Sequence, residues 1–422
     1  MLTNSHSVFP VTLLLVLCLG FAVPSSAQIA DGKCKFLGNV VNSSVPADFG
    51  QYWNQITPEN GGKWQSLEPT QDGYNWNAMD VAYNYATTNG IPFKHHTFIW
   101  GNQQPAWIET LTTEEQLAEI EEMMELVCTR YPDMAFIDVV NEPLHDPPSG
   151  PGNGNYIDAL GGAGATGWDW VIKSFELARG YCPNAKLLIN EYGIINDNTR
   201  TTQYLAIIKL LGDLGLVDGI GVQGHRFELE NAPEATLKAN LDKLGATGLP
   251  VYISEFDLGN VGNTGTPNDD QQLDLYKKIF PVLWNHTAVQ GITLWGYRQN
   301  ETWQETAFLK RSNNSERPAL AWLKEYVPET YGGTFCYPIT SVEKDDSGFS
   351  VYPNPSHGAV ITISVPAGAR ELAIRDLKGA TINTIQQNFS EATEIVWTAP
   401  KGIYLLQLKK RNSIITRKLV VN

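Results

Sequence analysis

Two glutamates stand at the ends of apolar, β-branched runs: Glu142 in "FIDVVNEP" (136–143) and Glu255 in "PVYISEFD" (250–257). A carboxylate at the end of a buried strand is costly unless it is paired or used. The two lie 113 residues apart in sequence, yet strand ends of a closed barrel can face each other across its mouth. Glycoside hydrolysis needs such a pair. One carboxyl stays protonated near neutral pH, helped by poor solvation and by its partner's charge, and gives its proton to the leaving oxygen. The other is ionised and attacks the anomeric carbon; in retaining enzymes the two lie roughly 5–5.5 Å apart. Asn141 is suited to hold a sugar 2-hydroxyl. On this reading Glu142 is a proton donor, weighed against a bland role for both glutamates in structural ion pairs.

The elements that must position these groups are legible as short apolar or β-branched runs at regular intervals. They are "FLGNV" (36–40), "YWNQIT" (52–57), "IPFKHHTFIW" (91–100), "FIDVVNE" (136–142), "KLLINEY" (186–192), "GIGVQGH" (219–225), "PVYISEFD" and "GITLWGY" (291–297). Helix-period segments fill the gaps, and one opens with Thr112 and Thr113 before Glu115 and Gln116, a capping-box pattern. Eight strands alternating with helices predict a (β/α)8 TIM barrel. No glycine-rich phosphate turn follows an early strand, which argues against a doubly wound sheet. Barrel chemistry belongs at the C-terminal strand ends. There the sequence sets Glu59 and Asn60, His95 and His96, Asn141 and Glu142, Glu191, Gln223 and His225, Glu255 and Asp257, and Trp295. Adjacent histidines on a strand point to opposite sides, so His95 and His96 are not expected to share a metal, and none is expected in the site. Glu191 is given no role. Trp53, Trp64, Trp76, Trp168 and Trp170 are read as packing; Trp295 and Trp303, near the last strand's end, are assigned to the site.

Residues 1–27 read as a signal peptide, with an apolar core too short to span a membrane comfortably and a small-residue cleavage site. Residues 28–340 are assigned to the barrel. After a polar linker, residues 341–422 alternate with period two between Gly and Pro turns, predicting a small β-sandwich. This tail holds ten Lys and Arg against seven Asp and Glu, so of the net −15 the first 340 residues carry −18. That acidic surface argues against nucleic acid as a partner. Eleven of the twelve tryptophans also lie there, and flat apolar faces on an acidic exported chain suit sugars. Export leaves Cys34, Cys128, Cys182 and Cys336, with expected pairs Cys34–Cys336 and Cys128–Cys182 against four buried thiols. The Gly- and Pro-rich segment 145–167, directly after Glu142, is expected to border the site.

Over most of residues 33–327 the chain resembles the endo-1,4-β-xylanases of glycoside hydrolase family 10. The motifs that carry the likeness follow in the family's order: "TPENGGKW" (57–64), "HHTFIWGNQQPAW" (95–107), "DVVNEP", "INEY" (189–192), "GIGVQGH", "YISEFD", "GITLWG" and "ERPALAWL". The resemblance implies a retaining mechanism without a cofactor, with Glu142 as acid/base and Glu255 as nucleophile. His225 and Asp257 would orient the nucleophile's surroundings, with Gln223 nearby. Glu59, Asn60 and Lys63 would bind the glycone-side sugars, His96 would match the family's first histidine, Trp295, Trp303 and Trp107 would wall the site, and Tyr192 would lie toward the leaving group. One departure stands out: Gly101 occupies a position where the family usually has a second histidine. The tail, from "YPNPSHG" through "LKGATI" to its end, resembles the C-terminal sorting domain of type IX secretion substrates. It implies outer-membrane secretion machinery as a partner and a secreted or cell-surface location reached through the periplasm.

The expected substrate is xylan or a related β-1,4-linked polysaccharide, and the expected state a monomer. Two rival functions follow from the same residues. One is another β-glycanase or an exo-acting xylosidase, which the Gly101 departure leaves open. The other is a non-catalytic glycan-binding protein, which would be expected to lack a catalytic carboxylate.

Overall fold

A computed structural model describes residues 28–149, 155–263, 265–330, 349–352, 360–376, 381–386, 389–398, 400, 402–409 and 414–421. The expected leader and the Cys34–Cys336 pairing fall outside, or reach outside, these residues.

Eight parallel strands form the core: β1 (Phe36–Val41), β2 (Ile56–Pro58), β3 (Lys94–Ile99), β4 (Phe136–Asn141), β5 (Lys186–Asn190), β6 (Gly219–Val222), β7 (Val251–Phe256) and β8 (Val289–Leu294). The sheet runs β2-β1-β8-β7-β6-β5-β4-β3, and a parallel bridge between Ile56 and Phe93 joins its two edges. The strands are buried almost throughout, which is why they read as apolar runs without polar alternation. Around them lie α1 (Trp64–Leu67), α2 (Asn77–Asn89), α3 (Thr113–Arg130), α4 (Asp169–Tyr181), α5 (Asn198–Asp213), α6 (Arg226–Leu229), α7 (Glu234–Gly245), α8 (Asp269–Trp284) and α9 (Pro318–Glu329). Helix α3 begins at the foreseen signal: Thr112 and Glu115 form a reciprocal capping box. The Cys128–Cys182 bridge joins the ends of α3 and α4.

One strand differs from its expected position. The run 52–57 yields only Ile56–Pro58, because Tyr52 and Trp53 pack in the preceding loop. The Trp53 ring meets Tyr297 edge-on at 5.4 Å. The last strand ends before Trp295, and Gly296 turns the chain with φ +98°, which favours glycine.

The C-terminal part forms two antiparallel sheets of three and four strands: β13-β10-β9 and β12-β11-β14-β15. Their ranges are β9 (Ser350–Tyr352), β10 (Val360–Val365), β11 (Glu371–Asp376), β12 (Thr381–Gln386), β13 (Thr393–Thr398), β14 (Gly402–Lys409) and β15 (Ile414–Val421). Ile361, Ile363, Leu372, Leu406 and Leu408 lie in a core of their own. No helix among the described residues is long and apolar enough to cross a membrane.

Candidate active site

The strand ends surround a cavity of about 820 Å³. Strand β4 delivers Asn141 as its last residue, and Glu142 leaves the strand with φ +54°. A non-glycine residue held in this left-handed region costs free energy and persists where its surroundings fix it. Here the Glu142 N–H donates to the Asn190 carbonyl (2.8 Å). Its Oε1 accepts from Gln223 (2.7 Å) and Asn141 (3.2 Å), and its Oε2 accepts from the Trp100 indole (3.0 Å). Burial pushes the Glu142 carboxyl up, and the nearby Glu255 charge adds to this against the Gln223 hydrogen bond, to about 8.

Glu255 has the opposite environment. It lies within β7. Its Oε1 accepts from Asn190 (2.8 Å), and its Oε2 lies 3.3 Å from His225 Nε2. The other ring nitrogen of His225 lies 3.0 Å from Asp257, whose second oxygen accepts the Arg226 N–H (2.8 Å). Burial opposes the Glu255 charge. The His225 hydrogen bond and the electrostatic pull of His96, His225 and Lys94 outweigh it and bring the carboxyl down to about 2. Burial likewise opposes a charged His225, but Asp257 and Glu255 lift it to about 10. Glu255 and His225 are therefore both charged at neutral pH, while Glu142 keeps its proton.

The two carboxyls are tied through amides. Asn190 Nδ2 donates both to Asn141 Oδ1 (2.8 Å) and to Glu255, while its oxygen accepts from Ser254 (2.5 Å). The register explains the contact, since Asn141 of β4 sits opposite Asn190 of β5. His96 is oriented from behind: its Nδ1 lies 2.9 Å from Asp138, which Lys94 also approaches at 2.9 Å. After the neighbouring strand β2, Glu59 accepts from Asn42 (3.0 Å), and Lys63 donates to Asn60 (3.0 Å) over the Trp100 ring. Trp295 is almost wholly buried beside His96, whereas Trp303 is 55% exposed and edge-on to His225. Tyr192 stacks on His145 at 3.9 Å.

Of the residues singled out in the sequence, Glu59, Asn60, Lys63, His96, Asn141, Glu142, Tyr192, Gln223, His225, Glu255, Trp295 and Trp303 all line this cavity. Asp257 does not line the cavity but lies behind His225. Trp107 does not line it, contrary to expectation. Its indole donates to the Glu68 carbonyl (3.2 Å) and its ring packs edge-on against Trp64, so Trp100 forms that wall. Trp100 and Asn190 were missed, although each stands at a strand end inside a motif read for other residues. Both nitrogens of buried His95 lack a hydrogen-bond partner, its ring packs on Phe98, and burial pushes it down to about 3. Gly101 has a steric cause. Its N–H donates to the Asp146 carbonyl (2.8 Å), and an added Cβ would lie 2.3 Å from the Pro147 carbonyl oxygen. The segment after Glu142 thus occupies the space a histidine would need. No described residue of segment 145–167 lines the cavity, contrary to expectation; the segment supports the wall from behind through Tyr156, whose hydroxyl donates to the Trp100 carbonyl (3.0 Å).

Comparison with known proteins gives this geometry a family. The profile of glycosyl hydrolase family 10 matches residues 27–326, and that of the secretion system C-terminal sorting domain matches residues 350–422. Endo-1,4-beta-xylanase B of Cellvibrio japonicus is 42% identical over 293 residues, which are 68% of this chain and 45% of that protein. The chain thus spans less than half of that relative's length. The beta-1,4-xylanase of Dictyoglomus thermophilum is 30% identical over 265 residues, 60% of this chain and 73% of the relative. Among solved structures, native xylanase 10B from Thermotoga maritima superposes with a TM-score of 0.61 at 24% identity, over 72% of this chain and 98% of that one; this likeness speaks to the fold. The chain belongs to glycosyl hydrolase family 10 and carries a secretion-system sorting domain behind its barrel.

Proposed function

We propose that this protein is an endo-acting, retaining β-1,4-xylanase that hydrolyses xylan outside the cell. The observation that carries the reading is the contrast between two buried glutamates on one cavity: amide and indole donors meet Glu142, while the His225 ring meets Glu255. These surroundings push the Glu142 carboxyl up and the Glu255 carboxyl down, the division of labour that double displacement requires. In the first step a Glu255 oxygen attacks the anomeric carbon while Glu142 gives its proton to the departing glycosidic oxygen. The C–O bond breaks, a glycosyl ester forms on Glu255, and Glu142 becomes a carboxylate. In the second step Glu142 takes a proton from water, whose oxygen attacks the same carbon and releases Glu255. Asn141, fixed by Asn190, would bind the 2-hydroxyl of the reacting sugar. Glu59, Asn60 and Lys63 would hold the glycone, Trp295 and Trp303 would pack on sugar faces, and Tyr192 would meet the leaving side. The sorting domain would direct the enzyme across the outer membrane by the type IX route.

The test is digestion of soluble β-1,4-xylan by the full chain and by its Glu255→Ala variant, with products resolved by size. Short xylo-oligosaccharides from the first and a near-complete loss in the second are expected. Release of xylose alone, or cleavage of a β-glucan in place of xylan, would refute the substrate and leave the chemistry. Inactivity on every polysaccharide would favour a binding protein.

A further inference from the structure

Glu228 is a buried carboxylate, 3% exposed, that the two-glutamate chemistry leaves unused. It lies on the one-turn helix α6, three residues after His225. Its Oε1 accepts the backbone N–H of His225 (2.8 Å), and its Oε2 accepts that of Gly193 (2.6 Å). Gly193 follows Tyr192 directly and turns with φ +68°. One side chain therefore ties the segment after β6 to the segment after β5. Burial raises the Glu228 carboxyl to about 7 against the opposing pull of the His225 charge and the two N–H groups. A carboxyl buried at that cost calls for an account of what it holds.

The two segments build different parts of the cavity. From β6 comes His225, which meets Glu255. From β5 comes Tyr192, stacked on His145 and edge-on to Phe227 at 5.9 Å. Phe227 precedes Glu228 on α6, stacks on His225 at 5.4 Å and also lines the cavity. A second buried carboxylate, Glu191, grips the same turn from its other side. It accepts the N–H groups of Tyr192 (2.9 Å) and Leu144 (2.8 Å) and lies 2.8 Å from His145 Nδ1. The His225 ring has its own support in Asp257. Loss of Glu228 would therefore free Gly193 and the aromatic wall more than the nucleophile.

We propose that Glu228 is a positioning residue that locks the Tyr192–Phe227 wall to the nucleophile's side of the cavity and thereby sets affinity for the sugar on the leaving-group side. This rests on the xylanase reading, in which Tyr192 faces that sugar. A cap for α6 alone would leave substrate preference unchanged; a wall support would change it selectively.

The experiment compares the full chain with its Glu228→Gln and Glu228→Asp variants on two substrates. Xylotetraose cleavage places sugar on both sides of the broken bond, whereas para-nitrophenyl β-xylobioside carries only an aryl leaving group. For Glu228→Gln, kcat/KM on xylotetraose is expected to fall about tenfold, mainly through KM, the size of one charge-assisted hydrogen bond. The aryl substrate is expected to change less than twofold, and Glu228→Asp to recover part of the loss. Tyr192→Ala should show the same split, and adding Glu228→Gln to it should cost little more, because the two act through one wall. Equal losses on both substrates, no loss on either, or additive effects in the double variant would overturn the proposal. If Glu228→Gln does not fold, the same pattern in Glu228→Asp decides. Failure of the unmodified chain on both substrates would instead overturn the xylanase reading, and this proposal with it.

Discussion

Glu142 and Glu255 are the same amino acid in two surroundings, and the difference lies in what meets their oxygens. Amide and indole donors bind Glu142 without supplying a formal positive charge, so burial dominates and its carboxyl rises to about 8. Glu255 meets the His225 imidazolium and falls to about 2. The sign of the pH dependence follows. The acid must be protonated and the nucleophile ionised, so kcat/KM on xylan is expected to decline above about 8, with the acid limb near 2. Glu142→Gln should abolish the alkaline limb and lower xylan turnover by about 10²–10⁴-fold. His225→Asn should move the acid limb to higher pH, because the Glu255 carboxylate loses its main charged donor; a pH–rate profile with an unmoved acid limb would count against that pairing. The glutamates were legible in the sequence because a charged residue ending an apolar strand is conspicuous. Trp100 was not, and Trp107 was misjudged, because which of two nearby tryptophans faces a cavity depends on the turn between them.

At the scale of elements, strand ends and helix ends set the site's precision. The strand identities were readable because both faces of a parallel barrel strand are apolar. The extent of β2 was not, since Tyr52 and Trp53 have strand-like character but pack in a loop against Tyr297. Asn190 was hidden for a related reason: its role comes from the β4–β5 register, which pairs it with Asn141, and register is a property of two segments together. Between β3 and β4, Asp138 is fully buried with Lys94 and His96 around it. Burial opposes its charge, but Lys94 and His96 prevail and hold its carboxyl below the usual range. Replacing Asp138 with Asn would leave Lys94 buried without its counter-charge, which typically costs about 3–5 kcal/mol. Urea unfolding should show that loss as a lower midpoint. On the outer shell, the Cys128–Cys182 bridge closes a segment with a sequence separation of 54, for which chain entropy gives about 4 kcal/mol. The double Cys→Ser variant should unfold at lower urea with xylan kcat unchanged, and an unshifted midpoint would remove the bridge from the barrel's support.

At the scale of the molecule, two hydrophobic cores divide the labour. The barrel core and the core of the C-terminal sheets share no residue, and the charge divides with them, +3 on residues 341–422 against −18 on the rest. Among the described residues, the cavity is lined by barrel residues alone. Stability and chemistry should therefore survive removal of residues 331–422, while delivery should not. Truncation is expected to leave kcat/KM on xylan and the barrel's Tm unchanged when the barrel is made directly as a soluble fragment. In a Gram-negative host with a type IX apparatus, the same truncation should abolish release to the medium or cell surface and leave active enzyme in the periplasm. Joining residues 341–422 to an unrelated exported protein should restore its passage, which separates an address in the tail from a folding role. Loss of barrel activity on truncation would show that the tail contributes to the enzyme itself. Retention of export without the tail would show that the sorting domain is not what carries this enzyme across the outer membrane.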